Sequence, residues 1–147
     1  MTPITNPPPG ERDHHLHRKC RFLMGQFDVP GAVLFAHHRS GWLESGMSLS
    51  PNAAPWLREA MVLAAASFTK EPGRLEEIRQ MPVVENEYCR QVAQGLDAKG
   101  AALLLIRFDR SGRLTLRVGI CGDPGLDPLL PKVCAGIARM WGDVCGN

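Results

Sequence analysis

Aromatic residues are scarce in this chain of 147 residues: three Trp, five Phe and one Tyr make up 6% of it. A platform for single-stranded nucleic acid stacks bases on aromatic rings set among basic residues. Basic residues are not in excess either, because 17 Lys and Arg stand against 15 Asp and Glu, a formal charge of +2. No nucleic-acid partner is expected. Long apolar runs are absent as well. Stretches such as Ala101–Ile106 fall far short of the roughly 20 residues that span a bilayer, and Met1–Gly10 is Pro-rich without the apolar centre of a secretory signal. The expectations are therefore no membrane partner and a cytoplasmic location. Cysteine is thinly spread over Cys20, Cys89, Cys121, Cys134 and Cys145, an odd number with no CxxC pair. In a reducing compartment these are free thiols, and Cys89 and Cys134, which sit in apolar-periodic segments, act as small hydrophobes. Neither GxSxG nor GK[ST] occurs. Gly119–Gly125 is Gly-rich, but Asp123 and Asp127 beside it would repel an anion, so it reads as a turn. With no identifiable nucleophile or acid/base pair, an enzyme ranks last.

What is present is enough for a core. A hydrophobic fraction of 44% over this length supports one domain that needs neither metal nor disulfide. Residues 1–12 read as a disordered Pro-rich lead-in and residues 13–147 as the domain. Asp13 to Gln26 carries helical spacing, with Asp13 as N-cap and Gly25 as exit. Gly31–Ala36 and Trp42–Met47 flank a polar Ser-Gly turn and read as a hairpin. Ala53–Phe68 follows as a helix with Trp56, Leu57, Ala60, Met61, Ala64 and Phe68 in its stripe. Arg74–Gln80 reads as a short polar helical turn, Met81–Val84 as extended, and Glu85–Ala98 as helical again. A second hairpin spans Ala101–Phe108 and Arg113–Cys121, and a helix closes the chain from Asp127 to about Gly142. The predicted fold class is α+β: a single antiparallel β-sheet built from two hairpins with helices packed on it, one sheet face buried and one wetter.

Met24–Phe68 contains a helix end, the Val29-Pro30-Gly31-Ala32-Val33 lead into a strand, the Ser40-Gly41 turn, a strand ending near Ser45-Gly46 and a small-residue helix. With the hairpin Leu103–Val118 and the closing helix, this order resembles the roadblock/dynein-light-chain family of the longin–profilin-like group. The resemblance implies a non-catalytic homodimer that scaffolds or regulates other proteins. The chain departs from it by inserting Lys70–Gly100, and a fifth strand is present only if Met81–Val84 supplies it. A GAF-type sensor domain looks similar at this level. In that reading the 70–100 segment covers a small-molecule pocket.

The chemistry-bearing residues are few. His14, His17 and Cys20 recur every three residues and would share one helix side, with donors suited to Zn or haem iron. No nearby residues complete four ligands, so a solvated basic face is the default and no cofactor is expected. Glu76, Glu77, Glu85 and Glu87 read as a solvated face. Arg107, Arg110, Arg113 and Arg117 surround the second hairpin, and Arg113 and Arg117 form a candidate positive patch. Trp42 and Met47 on the first hairpin, with Trp56 on the helix after it, complete a candidate interaction surface. The expected function is a non-catalytic regulatory or scaffold module that forms a homodimer through a hairpin or a helix. The alternative is a small-molecule or metal-binding sensor.

Overall fold

The computed structural model describes residues 9–71 and 73–144, and the described side chains lie between residues 15 and 141. Strand β1 (Gly31–His38) is the run GAVLFAHH, in which seven consecutive residues are buried. A near-continuous apolar run of this kind belongs to a strand covered on both faces. It turns at Arg39–Gly41 into β2 (Leu43–Leu49), where burial alternates. The second hairpin joins β3 (Ala98–Phe108) to β4 (Leu114–Gly122) through a turn in which the Asp109 carboxylate accepts from the backbone N–H groups of Ser111 and Arg113. The two hairpins meet along β1 and β3, from Gly31 opposite Ile106 to His37 opposite Gly100. The result is one antiparallel sheet in the order β2-β1-β3-β4.

Helices lie on both faces. On one face α1 (Pro9–Phe27) and α4 (Val84–Gly95) bury Leu16, Cys20, Leu23, Cys89 and Val92 against Ala32, Leu34, Leu103 and Leu105. On the other, α2 (Leu57–Lys70) and α5 (Leu129–Val144) pack against each other and bury Leu57, Met61, Leu130 and Cys134 against Val33, Phe35, Leu104 and Ile106. The short α3 (Arg74–Arg79) adds Leu75 and Ile78 to this second core. Truncating a fully buried Leu in either core to Ala costs about 2–5 kcal/mol. Among the described residues no helix is long and apolar enough to cross a membrane.

The α+β class and the two-hairpin sheet agree with the sequence reading, and four details differ. The sheet has no wetter face, because successive residues of β1 and β3 enter opposite cores. Helix α1 is already formed at Pro9, the first described residue, so Asp13 lies inside the helix. It continues through Gly25 to Phe27 and ends at Asp28, whose φ is +53°. The helix expected from Ala53 begins as a single 3-10 turn, Ala54–Trp56, before α2. Met81–Val83 forms no strand. It links α3 to α4, so the inserted segment passes from one sheet face to the other around the β4 side. Of the lead-in expected over residues 1–12, residues 9–12 belong to α1 and the rest lies outside the described residues.

Helix α4 sits so close to β4 that a Cβ on Gly119 would fall 2.7 Å from Glu85 Cβ and 2.8 Å from its backbone carbon. Backbone would have to shift to admit it. Gly95, at the exposed end of α4, has open space for 4 Å around the position a Cβ would take, and no left-handed φ. Gly119→Ala is therefore expected to lose about 1–3 kcal/mol and Gly95→Ala to gain roughly 0.5–1 kcal/mol, both read from urea unfolding.

Candidate functional site

An open four-stranded sheet leaves two rows of backbone groups without a neighbouring strand. In the first hairpin His38 N–H donates to Trp42 O and Ser50 N–H to Pro30 O. These contacts fix the even-numbered residues of β2 in the ladder with β1 and turn the N–H and C=O of Leu43, Ser45, Met47 and Leu49 outwards. Helix α1 blunts that edge. His17 Nδ1 donates to Met47 O at 2.5 Å, while His17 Nε2 accepts from Arg21 Nη2 at 3.1 Å. The Cys20 thiol donates to Gly46 O at 3.5 Å.

The β4 edge is treated differently. Asp109 N–H donates to Arg113 O and Asp123 N–H to Lys99 O, both at 2.9 Å, so Leu114, Leu116, Val118 and Ile120 face outwards. Asn86, near the start of α4, accepts from Ile120 N–H at 2.9 Å. Its amide NH2 donates to Ile78 O at 2.6 Å and Met81 O at 2.8 Å. One buried side chain thus ties α3, the link and α4 to the β4 edge and ends strand pairing there. From Leu114 to Val118 the outward backbone groups have no hydrogen-bond partner among the described residues.

Apolar surface lies beside both edges. The α2–α5 layer is narrower than the sheet, and it leaves Leu43, Met47 and Leu49 on one side and Leu114, Leu116 and Val118 on the other only partly buried. Between β2 and α5 runs an apolar groove of about 460 Å³ lined by Met47, Val133, Gly136, Ile137 and Trp141, with Met140 at its rim 66% exposed. Val62 and Leu63 are exposed on α2. A second cleft of about 450 Å³ lies beside the link, walled by Arg79, Met81, Val83, Asn86, Arg90 and Cys121. Arg79 in its wall is held by Asp127 Oδ1 at 2.6 Å and Glu76 Oε1 at 2.8 Å.

The sequence-predicted residues are dispersed over this frame. His17 and Cys20 lie on α1 and spend their polar atoms on β2. His14 lies in α1 with its side chain outside the described residues, and no group of three His, Cys, Asp or Glu side chains that could hold a metal is found among the described residues. Trp42 stacks on His38 with ring centres 4.2 Å apart, and His38 Nε2 lies 2.8 Å from the buried Glu44 carboxylate. Trp56 meets Phe108 edge-on at 5.8 Å, at the opposite end of the sheet from Trp42. Arg113 precedes β4, and Arg117 Nη2 lies 2.6 Å from Glu85 Oε2. Glu85 is only 2% exposed, so it belongs to no solvated face, and the positive patch is half neutralised. Burial pushes the thiols of Cys20 and Cys134 up to about 12 and that of Cys89 higher still.

Sequence reasoning missed Asn86 and placed Glu85 on a solvated face although it is buried. A glycine inside an alternating strand, here Gly119, signals close approach of another backbone, and it was the one local clue to the contact with α4. No protein-family model, curated protein or solved structure matches this chain.

Loss of the Asn86 amide strands a buried N–H and two carbonyls, so Asn86→Ala is expected to lower the unfolding free energy by about 2–4 kcal/mol in urea titration. His37 is buried with Nδ1 unpartnered, and desolvation, helped by the charge of Lys99, holds its pKa below the ordinary value despite the opposing pull of Asp123 and of the Gly41 backbone carbonyl. The unfolded chain therefore takes up a proton that the folded ring refuses. The contribution of His37 is complete above pH of about 6.5 and is lost as pH falls below it. His37→Phe should flatten the decline in stability between about pH 7 and 5 in chemical-denaturation series.

Proposed function

We propose that this chain is a non-catalytic regulatory or scaffold module that works through protein–protein contacts as a homodimer. One observation carries the reading: the helical layer is too narrow for the sheet beneath it, so apolar side chains stay partly exposed along both margins while Trp56, Val62, Leu63 and Met140 stand in solvent on or beside that layer. Apolar surface of this kind is costly to leave wet and is common material of contact surfaces. A second copy supplies the same surface, and a twofold assembly closes on itself.

The 450 Å³ cleft beside the link favours a second reading, a small-molecule sensor in which the α3–α4 segment forms the wall of the site. Saturating ligand at about 100 times its Kd would add about 2.7 kcal/mol of stability, which a thermal-shift screen of small molecules detects. The Arg79 and Asn86 side chains in that wall are engaged with the protein itself, which favours the contact reading. Light scattering over a concentration series is expected to return twice the chain mass. A monomer at every concentration would remove the homodimer.

A further inference from the structure

The two sheet edges are not equivalent, and we infer that β4 is the seam through which a second copy of this chain adds on, joining two four-stranded sheets into one of eight strands. The inference rests on the homodimer reading and names the surface that makes it. Along edge β2 the outward row is broken in its middle, where His17 takes the Met47 carbonyl, while the outward groups of Leu43, Ser45 and Leu49 have no hydrogen-bond partner among the described residues. Edge β4 is closed at Ile120 by Asn86 and open from Leu114 to Val118. That open stretch, Leu-Thr-Leu-Arg-Val, contains no Pro, and its one charged side chain, of the kind that ordinarily protects an exposed edge, is Arg117, which is paired with Glu85 on the opposite face.

The alternation of β4 makes the seam self-complementary. A twofold axis beside Leu116 pairs β4 antiparallel with its copy, so that the outward N–H and C=O of each Leu116 meet those of the other. Leu114 then stands opposite the partner's Val118. All these side chains lie on the face that α2 and α5 leave partly uncovered, so the pairing buries one apolar row against its own image. On the opposite face Thr115 stands across from the partner's Arg117, and Arg117 already carries Glu85 as a counter-charge. No like charges face each other directly. The seam also has a physical end: in this register the partner's Gly112 comes level with Ile120, where Asn86 occupies the edge. Three outward-facing residues per strand therefore make the ladder. The twofold axis closes the assembly as a dimer, and its outer strands are two copies of β2, whose outward row is interrupted at the Met47 carbonyl by His17.

Leu116 is the position to test, because its N–H takes no part in the ladder with β3. Leu116→Pro removes a seam donor and leaves the protomer's own ladder intact. Leu116→Lys and Leu116→Glu each place like charges opposite themselves. Wild-type chain is expected to sediment as a dimer, and each variant to weaken it by at least about tenfold in Kd while keeping the wild-type circular dichroism spectrum. A one-to-one mixture of the Lys and Glu variants should restore dimer as a heterodimer, which only a residue facing its own copy can do. If Leu116→Pro fails to fold, the Lys/Glu mixture decides. A mixture with no more dimer than its components overturns the seam. A wild-type dimer indifferent to all three variants overturns the seam and leaves the homodimer standing. A wild-type monomer at every concentration overturns both.

Discussion

Backbone groups on the outer sides of β2 and β4 have no strand to bond, and an unpaired N–H or C=O shut away from water costs as much as a lost hydrogen bond. Much of the polar chemistry of the molecule is arranged around that deficit. On the β2 side the answer is local: α1 lies over the strand and His17 takes the Met47 carbonyl. On the β4 side it requires a detour of the chain. Helix α3 ends on one face, the link turns around the edge, and α4 begins on the other face with Asn86 reaching back to Ile120, Ile78 and Met81. The three bonds of Asn86 convert a crossing of irregular backbone into a fixed wall.

This constraint explains why the segment between α2 and β3 is long. A helix placed directly after α2 would stay on the same face and leave Ala32, Leu34, Leu103 and Leu105 covered by α1 alone. Moving α4 to the far face provides Cys89, Val92 and Ala93 for that second core. It also presses α4 onto β4 so closely that only glycine fits at position 119. The same approach buries Glu85, and Arg117 must then answer its charge. A buried carboxylate left unpaired would be far costlier than this partly exposed pair.

Periodicity made the elements legible. Val33, Phe35, Leu104 and Ile106 against Leu34, Leu103 and Leu105 form runs too apolar for a one-sided sheet, and reading both strands as continuous rather than alternating would have signalled cover on both faces. The stripe from Leu57 to Phe68 and the turn at Asp109–Gly112 were plain in the same way. The site was less legible because it is built from long-range bonds of side chains to backbone. Nothing near Asn86 in the sequence points to Ile120, 34 residues on. Nor does the His14–His17–Cys20 spacing disclose that His17 takes an outward carbonyl of β2 while Cys20 bonds the carbonyl of Gly46, a residue inside its ladder.

A division of labour emerges between polar and apolar groups. Among the described residues, the side chains with the richest chemistry are largely engaged inside the protein: His17 and Cys20 with β2, Asn86 with the link and β4, Arg79 with Asp127, Glu85 with Arg117. The buried thiols are held protonated by desolvation, and a thiol is nucleophilic only as thiolate. What stays unspent is of another kind, namely the outward backbone of Leu114–Val118 and the apolar side chains along the margins of the α2–α5 layer. Main-chain groups bond any strand that arrives in register, and apolar rows select it by shape. It is this main-chain and apolar capacity, rather than any polar side chain, on which the contact role proposed above draws.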